Sequence, residues 1–195
     1  MIAGNNGPAV YGAILMGGRS TRMGRDKAFV PIEGVYMVVR VATALGDGGV
    51  DPIIAIGGDR LRIAANGIAS VADDWPGEGP LGGIITAMTF CSTPWVFVVA
   101  CDLAMLSAPT IRRLCAAAAH SSDDGDLVDV VVAQTDRLQP LCAVWRRTEE
   151  VIATLAEAFE AGERSVHGGL ARLRVMGLAV EASELSNFNA PQDLR

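Results

Sequence analysis

Short apolar runs alternate along the chain with longer stretches in which apolar positions recur every three or four residues. This alternation is the mark of βαβ units. It predicts an α/β fold with a mostly parallel central sheet of about seven strands and helices on both faces. Strands are expected at Val10–Met16, Pro52–Ile56, Ile68–Ala72, Trp95–Cys101, Val128–Ala133 and Leu141–Trp145, with a weaker seventh near Arg174–Val180. Helices are expected at Val35–Leu45, Arg60–Ala65, Leu81–Cys91, Ala108–Ala119 and Thr148–Ala161, with Ser107 ahead of Pro109 as an N-terminal cap. The polar stretch Ser121–Asp126 reads as a surface turn between the two halves. In an open sheet of this kind ligands bind beyond the carboxyl ends of the strands, so the strand ends are where chemistry is sought.

Composition narrows the classes. Half of the 195 residues are apolar and 19% are charged, which suits one compact domain over residues 1–195, with 1–9 as a flexible N-terminal extension. A net charge of −6 provides no broad cationic field, so neither nucleic acid nor an anionic membrane is an expected partner. The most apolar run, Trp95–Cys101, is far shorter than the roughly 20 residues that span a bilayer. No export signal is read at the start of the chain, so a cytoplasmic location is expected. Cys91, Cys101, Cys115 and Cys142 form no C-x-x-C pair, and His120 and His167 are the only histidines, which suggests neither a zinc site nor a disulfide framework. Of the 16 basic residues 15 are arginine, and Lys27 is the exception. A lysine kept against such a bias suits a compact point charge among crowded phosphate oxygens. Chance is the competing reading, since four of the 16 basic residues lie between Gly17 and Lys27.

The candidate chemistry gathers at the strand ends. Leu15, Met16, Gly17 and Gly18 open a run that continues through Arg19, Arg22, Gly24, Arg25 and Asp26 to Lys27. Its glycines let backbone N–H groups approach an anion, and its cations suit triphosphate oxygens. The spacing is neither that of the Walker loop nor that of the dinucleotide fingerprint, and a polar loop of solvated arginines competes about evenly. Asp102 closes the strand Trp95–Cys101, where a carboxylate can hold Mg²⁺ together with substrate phosphates; capping the next helix is the alternative, although Ser107 already serves there. Asp73 and Asp74 follow another strand, and a carboxylate accepts well from guanine's N–H groups, although by themselves the pair reads better as a solvated turn. Gly79, Pro80 and Leu81 open a helix where a ligand could lie. Asn187 and Asn189 precede Pro191, two amides where one would suffice as a cap.

Taken together, these segments resemble the molybdenum cofactor guanylyltransferases, the molybdopterin-guanine dinucleotide biosynthesis protein A family. The family's opening Leu-Ala-Gly-Gly, spacer, Arg-Met-Gly and Asp-Lys is matched by Leu15, Gly17, Gly18, Arg22, Met23, Gly24, Asp26 and Lys27. Its Gly-Pro-Leu-x-Gly is matched at Gly79–Gly83, its Cys-Asp at Cys101–Asp102 and its Asn-x-Asn-x-Pro at Asn187–Pro191. Met16, Ala104 and Ala190 stand where alanine, proline and threonine are usual. The resemblance runs nearly the whole length, in order. It implies a single Rossmann-like domain of the nucleotide-diphospho-sugar-transferase type and an enzyme that transfers GMP from GTP to the terminal phosphate of molybdopterin or its molybdenum form. It also implies Mg²⁺ on Asp102, with Lys27 and Arg22 as catalytic charges. The nucleotide would meet Leu15, Met16, Gly17, Gly18, Gly24, Lys27, Asp74, Gly79, Pro80, Leu81 and Asp102. Arg19, Gln139, Arg164, Asn187 and Asn189 are candidates for the acceptor site, with Arg164 equally readable as a helix-end charge. Transient contacts with molybdenum cofactor insertion and delivery proteins would follow. A CTP-dependent enzyme acting on the same pterin, another small-molecule phosphate nucleotidyltransferase and a non-catalytic nucleotide-binding module are the alternatives. Gly17 favours guanine, because related cytidylyltransferases tend to carry alanine there.

Overall fold

The strand Val10–Leu15 (β1) supplies apolar side chains to both of its faces, as a central parallel strand must. Val10 and Ile14 point into one core and Ala13 and Leu15 into the other. In this computed structural model residues 9–17, 26–123 and 127–186 are described, apart from the side chains of 122 and 123. The segments 18–25 and 187–195, and the proposed extension except residue 9, lie outside them.

A 3₁₀ turn, Lys27–Phe29, leads into the hairpin strands Pro31–Ile32 (β2) and Val35–Tyr36 (β3) and the helix Met37–Asp47 (α1). There follow Ile53–Ile56 (β4), Arg60–Ala65 (α2), Ala69–Val71 (β5), Pro80–Phe90 (α3), Trp95–Ala100 (β6) and Ala108–Asp123 (α4). The second half comprises Val130–Gln134 (β7), Leu138–Arg146 (β8), Glu149–Glu160 (α5), Val166–Leu170 (α6), Val175–Ala179 (β9) and a 3₁₀ turn, Ala182–Leu185. Seven strands form one sheet in the order β5-β4-β1-β6-β8-β7-β9. β8 runs antiparallel to both of its neighbours, and the remaining pairings are parallel. Residues of α1, α2 and α4 fill one core, with Val38, Val41, Leu45, Ile63, Ile111 and Leu114 among them. Residues of α3, α5 and α6 fill the other, around Leu81, Ile84, Leu155 and Leu170. No helix among the described residues is long and apolar enough to cross a membrane.

Two local expectations are corrected, and one helix is added. The helix expected from Val35 begins at Met37, because Val35 and Tyr36 pair with Ile32 and Pro31. Glu33 and Gly34, the residues of that turn, both have positive φ (51° and 81°), as tight hairpin turns require. The stretch read as a turn from Ser121 continues α4 as far as Asp123. Ser121 is buried and its hydroxyl donates to the Ala118 carbonyl, so a residue that often favours turns is absorbed by a helix end. α6 was not expected, since it contains Gly168 and Gly169. The Ser165 cap on the Gly168 N–H and the burial of Val166 and Leu170 hold it in place.

The edge pairing of β7 with β9 is fastened by Asp129, whose carboxylate accepts from the Arg174 N–H, Nε and Nη2 at 2.9, 2.9 and 2.6 Å. Burial pushes the Asp129 carboxyl up, but the Arg174 hydrogen bonds and charge outweigh that and hold it below its ordinary value of 3.8. With the folded-state value depressed, the ionised group stabilises the fold above the unfolded value, and this contribution is lost as the pH falls through the folded one. Asp129→Asn should lower the midpoint of thermal unfolding by several degrees at pH 7, and the gap from the parent chain should narrow on moving to pH 3. A gap independent of pH would contradict this account. At the α1–α4 crossing, a methyl on Gly48 would lie 2.8 Å from Ile111 Cβ, so the helices would have to part. Gly48→Ala should cost about 1–3 kcal/mol in urea unfolding.

Candidate active site

From β1 the chain moves through α1 to β4 and β5 on one side, then crosses back by α3 to β6 on the other side of β1. The order therefore reverses between β1 and β6, and a crevice opens at such a point beyond the carboxyl ends of the strands. Leu15 and Ala100 are register partners there, and the Cys101 N–H donates to the Leu15 carbonyl at 3.2 Å. The next residues are Met16 and Gly17 on one strand and Asp102 on the other.

Lys27 and Asp102 meet at this crevice. The ammonium Nζ lies 2.8 Å from Asp102 Oδ2, and the side chains are only 17% and 20% exposed. Both backbones are pinned by their neighbours. Asp26 caps the 3₁₀ turn by accepting from the Ala28 N–H at 3.1 Å, and Ala28 and Phe29 are buried immediately after Lys27. The Arg62 guanidinium lies over the Phe29 ring, 4.0 Å from its centroid. On the other side Cys101 and Leu103 are buried, leaving Asp102 as the partly exposed residue between them. Burial raises the Cys101 thiol to about 12, with Asp102 and Asp26 adding to the effect and Lys27 opposing it. A thiol held protonated is a poor metal ligand and nucleophile, so the donors on offer are carboxylate oxygens, which suit a hard cation such as Mg²⁺. Among the described residues no cluster of three or more metal-ligating side chains occurs. A cation here would take its remaining oxygens from substrate and water, as Mg²⁺ commonly does.

Gly17 and Asp74, expected at the nucleoside, follow β1 and β5. Among the described residues a Cβ built at Gly17 would meet nothing within 4 Å, while one at Gly58 would lie 2.9 Å from Met16 Cβ. Among the described residues, nothing crowds Gly17, while Met16 is closely packed against Gly58 behind it. Asp73 follows β5, and its Oδ1 accepts from the Trp75 N–H at 3.0 Å and lies 3.3 Å from the Thr86 hydroxyl. The Thr86 oxygen also accepts from the Asp74 N–H at 3.2 Å. Asp73 is therefore committed to holding its own loop, whereas Asp74 is exposed. Gly79, with φ of 98°, precedes Pro80 at the start of α3, and both are exposed.

Some residues expected at the nucleotide have their side chains elsewhere. Leu15 and Met16 are 6% exposed and Leu81 is fully buried, all three in the cores, so they can reach a ligand only through the main chain. Gln139 lies near the start of β8, its amide donating to the Thr135 hydroxyl at 3.1 Å. The Arg164 guanidinium is already engaged. Its Nε donates to Glu78 Oε2 at 2.8 Å, its Nη1 to the Phe159 and Glu163 carbonyls at 2.6 and 3.0 Å, and its Cζ lies 3.9 Å from the Phe159 ring centroid. Arg19, Arg22, Gly18, Gly24, Asn187 and Asn189 lie outside the described residues. Thr86, Glu78 and Phe159 escaped the sequence reading. Thr86 looks like an ordinary helix residue, and a contact between residues 78 and 164 leaves no periodic trace.

Residues 12–174 match the model of the MobA-like NTP transferase domain. Similar over most of their length are a molybdenum cofactor guanylyltransferase of Pseudomonas putida, 33% identical over 93% of this chain and 94% of that one, and a probable molybdenum cofactor guanylyltransferase of Opitutus terrae, 29% identical over 96% and 94%. The crystal structure of molybdopterin-guanine dinucleotide biosynthesis protein A from Archaeoglobus fulgidus has the same fold, with a TM-score of 0.72, 20% identity and 94% of each chain covered. With a sheet order that opens a crevice at Lys27 and Asp102, and a family match that spans both residues, this chain belongs to the MobA-like NTP transferase domains.

Proposed function

We propose that this chain transfers GMP from GTP to the terminal phosphate of molybdopterin, or of its molybdenum form, releasing pyrophosphate. The observation that carries the reading is the Lys27–Asp102 pair at the crevice between β1 and β6. Full-length relatives named as molybdenum cofactor guanylyltransferases support the choice of acceptor. Gly17, which no described residue crowds, and the exposed Asp74 carboxylate support guanine, from whose N–H donors on the Watson–Crick edge such a carboxylate would accept.

An oxygen of the pterin's terminal phosphate attacks the α-phosphorus of GTP, and the bond from that phosphorus to the bridging oxygen breaks as pyrophosphate departs. A phosphate monoester, with a second pKa of about 6, is already largely ionised near neutral pH, so no general base is needed. No protein nucleophile is needed either. Of the histidines, His120 bonds the Ala116 carbonyl on α4, and His167 sits in α6. Lys27, with Arg22, holds the triphosphate and meets the charge that builds on the leaving group. Asp102 would hold Mg²⁺ with phosphate oxygens, and the ion would neutralise charge on them. Arg19, Gln139, Asn187 and Asn189 are assigned to the acceptor, and a cytoplasmic location fits this chemistry.

Lys27→Ala should lower turnover by about a hundredfold or more, the scale for loss of one preorganised charge-stabilising donor; near-normal turnover would remove Lys27 from the mechanism. Asp102→Ala should abolish Mg²⁺-dependent turnover, and persistence of both activity and metal dependence would overturn the metal assignment. Pyrophosphate release should be fastest with GTP and molybdopterin together. Faster release with CTP, or with a sugar phosphate as acceptor, would replace the reading, and no release with nucleotide still bound would indicate a silent module.

A further inference from the structure

The loop from Asp73 to Gly79 is held from outside as well as from within. Trp75 packs on Phe159 of α5, ring centroids 5.2 Å apart at 55°, and the Arg164 guanidinium covers the Phe159 ring with its Cζ 3.9 Å from the centroid. The head of Arg164 then turns back to Glu78, three residues beyond Trp75, at 2.8 Å. The same guanidinium donates to the Phe159 carbonyl in the last turn of α5, which anchors it to a helix end. The Arg164 carbonyl would lie 3.0 Å from a Cβ at Gly79, so the start of α3 is packed against the same residue. Trp75, Phe159, Arg164 and Glu78 thus form a closed clasp around the loop. Within it the Glu78 N–H donates to the Trp75 carbonyl at 3.1 Å, and Thr86 holds Asp73 and the Asp74 N–H. Asp74 projects from the clasp as an exposed carboxylate.

An exposed ion pair alone contributes little. Here one planar guanidinium serves a carboxylate, two carbonyls and an aromatic face at once, so its direction is set. A cation so engaged is not poised to receive a phosphate of the acceptor. We infer that Arg164 is a positioning residue of the nucleoside side of the site: with Glu78 and Phe159 it fixes the loop that presents Asp74 and the Gly79–Pro80 turn, and so sets affinity and preference for the purine nucleotide. This rests on the reading of the crevice as a GTP site.

The test is calorimetric titration of Mg²⁺-GTP and Mg²⁺-CTP into the full-length chain, beside steady-state kinetics with molybdopterin. Arg164→Ala should weaken GTP binding about tenfold, narrow the preference for GTP over CTP, and leave KM for the acceptor within about twofold. Glu78→Gln, on an exposed surface where folding is little at risk, should shift GTP binding in the same direction by a smaller factor. The double variant should bind GTP no more weakly than Arg164→Ala alone, because the two residues act through one contact. Arg164→Lys keeps a charge for Glu78 but loses the planar cover on Phe159, and should fall between parent and alanine. An acceptor KM raised about tenfold with GTP binding unchanged would place Arg164 at the acceptor and overturn the inference. Parent-like GTP binding in Glu78→Gln and Arg164→Lys would overturn it as well. If the parent chain itself prefers CTP or binds neither nucleotide, it is the GTP reading that fails.

Discussion

Two opposite charges, 2.8 Å apart although the chain separates them by 75 residues, anchor the proposed site of this molecule. Lys27 and Asp102 are each about four-fifths buried, so neither has enough water to be content alone. An unpaired charge in that position would be costly, and the pair offsets the penalty. A triphosphate and its counter-ion present the same charges in the same crevice, phosphate for the ammonium and cation for the carboxylate. The site is thus electrostatically complementary to its proposed substrate before the substrate arrives. The fold supplies the distance: β1 and β6 are adjacent and parallel, so the residues that follow Leu15 and Ala100 emerge side by side.

The scaffold could be read from the sequence because its central strands are buried on both faces. Trp95–Ala100 and Val10–Leu15 are nearly continuous apolar runs, a signal that needs no knowledge of partners. α2 was readable to the residue, with Asp59 accepting from the Leu61 and Arg62 N–H groups to start it. What escaped was short or stabilised from a distance. The two-residue strands β2 and β3 carry too few positions for a period, and α6 exists because Leu170 and Val166 find a core, against the propensity of its glycines. The antiparallel direction of β8 is likewise set by partners on both sides and leaves no mark on its own residues.

The site divides in the same way. Lys27, Asp102, Gly17 and Gly79 stood out because each breaks a local pattern: the lone lysine, the charge that ends an apolar strand, the glycines at turns. Leu15, Met16 and Leu81 belong to the same motifs, yet their side chains serve the cores. A motif records that a residue is needed at a position and is silent about whether its side chain or its backbone is used. Arg164 shows the reverse case. Its charge was visible, but its partners lie on α5 and on a loop 86 residues away, and only the packed structure reveals that the guanidinium is occupied.

Charge placed by a rigid frame, with no nucleophile contributed by the protein, is the chemistry this arrangement can perform. The core of the proposal is that Lys27 and Asp102 act as one unit on one set of phosphates. A double-mutant cycle on Mg²⁺-GTP affinity measures that directly. If the two residues hold the same phosphates, the loss of affinity in the combined Lys27→Ala and Asp102→Ala variant should lie within about tenfold of the larger single loss, as for residues that function together. Losses that multiply would show two independent contributions and contradict the account.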